Sequence, residues 1–462
     1  MSAAFCDLRA SDKPNVLFII VDDLRPALGC YGDRLAFTPN IDALAKTGTL
    51  FERAYCQQAV CSPSRTSILT GLRPDATQIW GLKKTFRETR PDAVTLPEYF
   101  KNNGYVTSQV GKIFHDPASH QDSVSWSGPV LHNVTGNQRG DKYVLEENLK
   151  NGKGASTERQ PVADSAYIDG KVADASVQVL RRLAKKPFFL AVGFRRPHLP
   201  FTAPEKYWQY FDKTAFPDNA GYAPKNAPAL AFHNSQELRG YSDIPKTGSF
   251  SKELVKHLWQ GYYASVSYTD SQIGKVLAEL DRLGLRNNTI VVLVSDHGYH
   301  LGEQDQWAKS TNFENAVRVP LIVSAPGFGK PASSKAIVEL LDLYPTLTEL
   351  CGLPPRNELA GKSLAGLLKN PGADFKGFAL SQFIRPYSAL SNENNIQAMG
   401  YSVRTNRYRY TEWYPFKGDS VIARELYDHQ TDPLETVNME SEISRPLLNS
   451  LHKKLRGLIV NR

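Results

Sequence analysis

The residues Val16-Leu17-Phe18-Ile19-Ile20-Val21 form an unbroken apolar run that stops at Asp22-Asp23. A strand that alternates apolar and polar residues covers one side of a sheet. A strand apolar at every position has to be buried on both sides. The run therefore predicts a central strand of a mixed, largely parallel sheet sandwiched by helices, an α/β fold. In open sheets of this kind the carboxyl ends of parallel strands share one edge, and ligands sit there. Asp22 and Asp23 are thus carried to the place where chemistry is expected.

Other segments should bring polar groups to the same edge. Thr49 to Tyr55 reads as a strand leading into Cys61-Ser62-Pro63-Ser64-Arg65. Gly104 to Val110 ends in Gly111-Lys112-Ile113-Phe114-His115. Pro187 to Phe194 ends in Arg195-Arg196-Pro197-His198, and Thr289 to Val294 in Ser295-Asp296-His297-Gly298. Between them, helices are expected after Thr38-Pro39, over Leu96 to Lys101 and Asp164 to Lys185, and from Ser251 onward. In the last, Leu254, Leu258, Tyr262, Val266, Ile273, Val276, Leu277 and Leu280 repeat close to the helical period. A strand over Val319 to Val323 and a helix from Val338 to Cys351 are expected to close the unit. Residues 116–160 and 199–250 read as long excursions, which are unusual unless functional.

The Cys61 segment predicts a helix start with Ser62 as N-cap and Pro63 at the first position. Cys61 would then sit at the positive end of a helix dipole, beside Arg65. Beyond residue 376 the pattern changes. Phe378 to Gln382, Tyr401 to Thr405, Tyr408 to Trp413 and Glu425 to Asp428 are short β-like runs, followed by a helix around Ser444 to Leu458. The expected organisation is a catalytic α/β domain over 1–352, a linker over 353–376, and a small C-terminal α+β subdomain over 377–462 with an antiparallel sheet and a helix.

Composition narrows the partners. The net charge is +8, spread along the chain without a dense basic run or a nucleic-acid motif, so an anionic small molecule or polymer is expected and nucleic acid is not. Five cysteines without a CxxC indicate neither a zinc knuckle nor a disulfide framework. No apolar run reaches the ~20 residues of a membrane helix, so no membrane is expected. The first residues, Met1 to Cys6, lack the pattern of a signal peptide, which leaves a cytoplasmic protein or one whose leader has been removed.

Each polar strand end has an ordinary use alone: paired aspartates cap turns, and single lysines or histidines lie on surfaces. Together they make coherent chemistry. Asp22, Asp23 and Asp296 form a hard, oxygen-rich set suited to Ca2+, with Mg2+ as the alternative. His297 belongs at the metal's edge or against the substrate. Arg65, Lys112 and Lys309 can neutralise an oxyanion, while His115 and His198 can donate and accept protons. Arg385, Arg404 and Arg407 offer a carboxylate clamp from the small subdomain, with plain salt bridges as the alternative.

The run Cys61-Ser62-Pro63-Ser64-Arg65 through Thr70-Gly71 resembles the type I sulfatase signature, C-x-P-S-R-x(4)-T-G. In that family a formylglycine-generating enzyme oxidises the cysteine, and the hydrated aldehyde is the nucleophile. Asp22-Asp23, Gly111 to His115 and Ser295 to Gly298 resemble further family signatures. The resemblance implies an alkaline-phosphatase-like fold and a sulfuric ester hydrolase. It also implies metal ligands Asp22, Asp23, Cys61, Asp296 and His297, and catalytic roles for Cys61, Arg65, Lys112, His115, His198 and Lys309. Substrate contacts are expected from Lys112, His198, Tyr299, Lys309, Arg385 and Arg404.

Segments such as Val21 to Pro26, Gly29 to Asp33, Gln57 to Cys61, Phe188 to Gly193, Pro197 to Phe201 and Met399 to Ser402 are most similar to family members acting on the 2-O-sulfate of a uronic acid. A sulfated oligo- or polysaccharide, cut at its end, is then the expected partner, and a periplasmic or secreted location follows. Another sulfated sugar of an algal polysaccharide, or a phosphonate or phosphodiester on the same scaffold, is the alternative. A non-catalytic glycan-binding relative would have lost some of Asp22, Asp23, Cys61, Arg65, Asp296 and His297; all are present. The stretches between Phe114 and Pro187 and over 202–250 depart from the family and are expected to shape the substrate pocket.

Overall fold

The structure is a computed structural model, which describes residues 13–116, 120–134, 142–150, 152–218, 221–328 and 331–459. The expectation drawn from Met1 to Cys6 lies outside the described residues.

Seven strands make the main sheet: β1 (Asn15–Val21), β2 (Thr49–Tyr55), β3 (Val106–Gly111), β4 (Phe188–Phe194), β5 (Thr289–Ser295), β6 (Arg318–Ser324) and β7 (Ala332–Glu339). Their spatial order is β7-β2-β6-β5-β1-β4-β3, and only β6 runs against its neighbours. β1 is central, in register with β4 on one side and β5 on the other. Its side chains alternate between two cores. Leu17, Ile19 and Val21 join one layer, whereas Val16, Phe18 and Ile20 join the layer on the opposite face. Burial on both sides is the reason for the unbroken apolar run.

Helices cover both faces. α1 (Cys61–Thr70) lies on one, and α2 (Ile168–Leu183) and α4 (Lys252–Arg282) on the other; α3 (Gln236–Arg239) is a single turn at the sheet's edge. Ser251 caps α4 by accepting from Leu254 N, in line with the sequence. Two local expectations are corrected. Ala332 to Glu339 is a strand parallel to β2, so the expected helix from Val338 begins only at Leu343, after a 3-10 turn. Pairing with β2 decides this segment, and its own sequence has too few apolar residues to announce a strand.

The second correction concerns α1. Its N-cap is Val60, in extended conformation, and Cys61 is already helical. The first i to i−4 bond runs from Ser64 N to Val60 O. Pro63 is therefore the third helical residue, which costs nothing because its missing N–H belongs to the unpartnered first turn. At the other end Gly71 is left-handed, with φ 68°, and a Cβ there would lie 2.6 Å from Leu359. The Thr-Gly of the signature is thus a helix stop that only glycine fits.

The small subdomain is a four-stranded antiparallel sheet, β8 (Phe378–Arg385), β9 (Ala398–Thr405), β10 (Tyr408–Pro415) and β11 (Ala423–Asp428), backed by α5 (Arg445–Leu458). Within 353–376, Leu364, Ala365, Leu367 and Leu368 are packed in the same core layer as α1. β8 also touches the approach to Cys61: Gln382 N donates to Gln57 O, Ser381 donates to Cys56 O, and Val60 belongs to the subdomain's core. Among the described residues no helix is long and apolar enough to cross a membrane.

Candidate active site

β1, β3, β4 and β5 are mutually parallel, so their carboxyl ends deliver Asp22-Asp23, Lys112 and His115, His198, and Asp296-His297 to one edge. α1 begins at that edge. Cys61 Sγ lies 3.5 Å from Asp22 Oδ1 and 3.4 Å from His297 Nε2. Asp23 adopts a left-handed backbone, φ 62°, which Asp tolerates better than most residues. That turn is held by Asp23 N donating to Asp296 Oδ1 and by Tyr262 of α4 donating to Asp23 O. Sparsely populated backbone of this kind collects at functional sites.

The charges interlock. Arg65 Nε donates to Asp296 Oδ2 at 2.8 Å and its Nη2 to Asp22 Oδ1 at 3.0 Å, while Nη1 donates to the carbonyls of Lys112 and Ile113. Lys112 Nζ stands 2.5 Å from Asp22 Oδ2, and Lys309 Nζ 2.8 Å from Asp23 Oδ1. Burial pushes the Asp22 carboxyl up, but Lys112 and Arg65 outweigh it and hold it well below the usual range. Asp296, where burial dominates over Arg65 and His297, is pushed up. Burial, seconded by Asp22, raises the Cys61 thiol well above its ordinary value. A helix start beside Arg65 therefore does not lower the thiol, because burial and Asp22 act the other way. Arg65 faces the two carboxylates with every nitrogen engaged.

Asp22, Asp23, Cys61 and His297 offer ligand atoms that all lie within 4.8 Å of one another, and Asp296 adds a third carboxylate beside them. His297 Nδ1 lies 3.0 Å from Gly298 O, and Nε2 faces Asp23 and Asp296 oxygens at 3.4 and 3.6 Å. Three carboxylates and an imidazole nitrogen gathered in a fully buried site fit a bound cation, and the oxygen-rich set fits Ca2+ or Mg2+.

In front of this cluster is a cleft of about 380 Å³, with Cys61 in its wall beside His115, His198 and Lys309. His115 is nearly buried, and burial, then Lys112, pulls its pKa well down, leaving it neutral. The two segments that depart from the family pattern do contribute: Lys153 from the first, Gln236 and Glu237 from the second. Tyr387 and Leu390 of the small subdomain close the far side.

Three expected substrate contacts do not line the cleft. Tyr299 has no exposed surface and stacks against Tyr262, behind the wall that carries Asp23, Glu237 and Lys309. Arg385 is turned inward, donating to the carbonyls of Leu230, Ala231 and Ser310. Arg404 pairs with Glu314 and lines a separate cleft with Arg53, Arg318 and Arg407, and Arg407 pairs with Asp428. The pleat direction of a strand and the packing of a turn decide these orientations, and neither is written in a local motif. Sequence reading in turn missed Glu237, whose segment carries no periodic pattern to mark it.

The fold is alkaline-phosphatase-like, with a carboxylate set able to hold a metal at the open edge of its seven-stranded sheet and cationic groups beside it. A family model described as Sulfatase matches residues 14–353, and one described as N-sulphoglucosamine sulphohydrolase, C-terminal, matches residues 302–461. The chain belongs to the sulfatase family and is a sulfuric ester hydrolase. It is 36% identical to iduronate 2-sulfatase of Mus musculus over 96% of this chain and 94% of that protein. It is 32% identical to a sulfatase of Formosa agariphila over 92% of this chain and 83% of that one. In fold it matches the phosphonate monoester hydrolase of Agrobacterium radiobacter, with a TM-score of 0.76 at 23% identity, covering 96% of this chain and 95% of that one.

Proposed function

We propose that this chain removes the 2-O-sulfate of a uronic acid at the end of a sulfated glycan, as an iduronate-2-sulfatase-like exo-enzyme, with Cys61 oxidised to formylglycine by a formylglycine-generating enzyme. The observation that carries the reading is the setting of Cys61. It stands in the cleft wall at the start of α1 and at the edge of the carboxylate cluster, 3.5 Å from Asp22 Oδ1 and 3.4 Å from His297 Nε2. A precursor inside the family signature accounts for that placement. The relatives named iduronate 2-sulfatase, at 36% identity over nearly the whole chain, support the sugar class. So does a cleft of about 380 Å³, room for a chain-end sugar rather than an internal stretch of polymer. A glycan substrate favours the periplasm or secretion as the compartment.

The matured residue supplies the nucleophilic hydroxyl at the position of Cys61. Asp22, Asp23, Asp296 and His297 would hold the cation, which when bound would supply Lewis-acid polarisation of the sulfate. Arg65 is a positioning residue in this scheme, keeping Asp22 and Asp296 at their distances. Lys309 and Lys112 provide positive charge where the sulfuryl oxygens bind. His198, half-buried in the cleft wall, gives its proton to the leaving sugar oxygen. His115, kept neutral by burial and with Nδ1 unpartnered among the described residues, accepts a proton as sulfate departs.

Mass spectrometry of the peptide containing Cys61, from protein made with the formylglycine-generating enzyme, tests the core of this. Conversion of thiol to aldehyde lowers the mass by about 18 Da, a change off the usual oxidation ladder of cysteine. Turnover by protein in which Cys61 is wholly unmodified would sink the reading. Assay of a uronoside 2-sulfate against glucosamine 6-sulfate and an aryl phosphonate then separates the proposed sugar from other sulfated sugars and from phosphonates.

A further inference from the structure

Glu237 stands where no sequence motif points. It is the second residue of the short turn α3, in the segment that departs from the family pattern. Its Oε1 accepts from Lys309 Nζ at 3.0 Å and lies 3.2 Å from His198 Nε2. The opposite nitrogen of the same imidazole, His198 Nδ1, is 2.6 Å from Leu199 O. A carbonyl and a carboxylate both accept, so the two partners hold the ring between them at the cleft wall.

The placement is built into the backbone. His233 N donates to Gln306, His233 Nε2 to Lys309 O, and Trp307 N to Ser235 Oγ. His233 Nδ1 in turn accepts from Ser235 N, the residue just before α3. Three hydrogen bonds thus join the start of α3 to the loop that carries Lys309, and the fourth braces the His233 ring against Ser235, so Glu237 and Lys309 are held as one unit. Lys309 and His198 hold the Glu237 carboxyl well below the usual range against the upward push of burial, so it is ionised in the cleft.

We propose that Glu237 is a positioning residue for leaving-group protonation: its carboxylate holds proton-bearing His198 and Lys309 side by side at the cleft wall where the ester oxygen departs. This rests on the sulfatase reading above, with His198 as the acid. When the S–O bond to the sugar breaks, its electron pair stays on the sugar oxygen. The Nε2 proton of His198 passes to that oxygen and leaves an alcohol and a neutral imidazole. Water returns the proton, and Glu237 stays ionised throughout. A Gln at 237 can donate its amide N–H to Nε2 instead, which favours the neutral ring that has no proton to give.

The test is leaving-group dependence, with mature holoenzyme assayed on 4-nitrophenyl, phenyl and 4-methylphenyl sulfate and on a uronoside 2-sulfate. Nitrophenolate leaves without a proton and a sugar alcohol does not. Glu237→Gln should therefore lose about 100-fold in kcat on the uronoside and stay within about twofold on 4-nitrophenyl sulfate, a steeper dependence than wild type. Glu237→Asp, which keeps the charge one methylene back, should fall between them, and it carries the same comparison should the amide variant not fold. An equal loss on all four esters, or none on the uronoside, overturns the role of Glu237 while leaving the sulfatase reading intact. Wild-type enzyme that turns over no sulfate ester overturns both.

Discussion

Two buried clusters of opposite charge lie at the same end of the main sheet, and they do different things. One is the cleft cluster of Asp22, Asp23, Asp296, Arg65, Lys112 and Lys309. The other joins Glu314, just before β6, to Arg404, Arg409, His429 and Glu435 of the small subdomain. Both bring carboxylates and a histidine within metal-binding distance. In the second, the partners cancel. Glu314 accepts from Tyr55, Arg404 and Arg409, while Glu435 accepts from Arg409, His429 and the backbone N of Glu314. The first is paired as well, but Cys61 stands among its charges and in the wall of its cleft. Paired buried charge beside a cleft therefore does not by itself make a site; a reactive residue among the charges does. The second cluster is a bolt between the two parts of the chain.

The comparison is broken most directly by Cys61→Ala. It should lower turnover at least roughly a thousandfold, leave thermal melting unchanged, and leave sulfate-ester binding measurable by calorimetry. Retained turnover would mean that the cleft cluster works without its central residue. Arg409→Ala should do the reverse. Leaving Glu314 and Glu435 short of their cation should cost about 3–5 kcal/mol in denaturant unfolding, with activity per folded molecule unchanged. An activity loss without a stability loss would make the bolt part of the site.

Metal response sharpens the contrast further. Saturating Ca2+ over chelator should stabilise the wild type by about 2.7 kcal/mol at a hundred times Kd. Asp296→Asn should abolish that increment; Glu435→Gln should not. Melting curves with and without chelator read both.

The smallest effect is in acid. Glu314 and Glu435 are buried, which alone would raise them, but Arg404 and Arg409 for the first and Arg409 for the second hold both below the ordinary carboxylate range. A depressed carboxylate contributes stability that is present above its unfolded pKa and lost as pH falls through the folded one. The bolt should therefore weaken progressively below about pH 4.5, by about 1.4 kcal/mol for each unit of depression. Glu435→Gln should make that acid limb shallower, and an unchanged limb would remove Glu435 from the linkage.

Much of the cleft was legible because its residues sit at strand ends. Asp22-Asp23, Lys112, His115, His198 and Asp296-His297 each follow an apolar run, and parallel pairing carries such ends to one edge whatever the loops do. The cap of α1 was misread because Ser-Pro is a strong local signal, whereas Val60 is held in place by the core of the small subdomain. Tyr299, Arg385 and Arg404 were misplaced for a related reason. The direction of a side chain on a turn or a short strand depends on what packs against it.

The sequence by itself determined the doubly covered central strand, the Cys61 signature and the polar strand ends. Periodicity, glycine and motif are local, and local interactions suffice to express them. Only the tertiary structure decided that Arg65 faces carboxylates, that Cys61 is buried against Asp22 and His297, and that Glu237 stands between His198 and Lys309. Burial and charge pairing arise between segments far apart in the chain, and they exist only once those segments have packed.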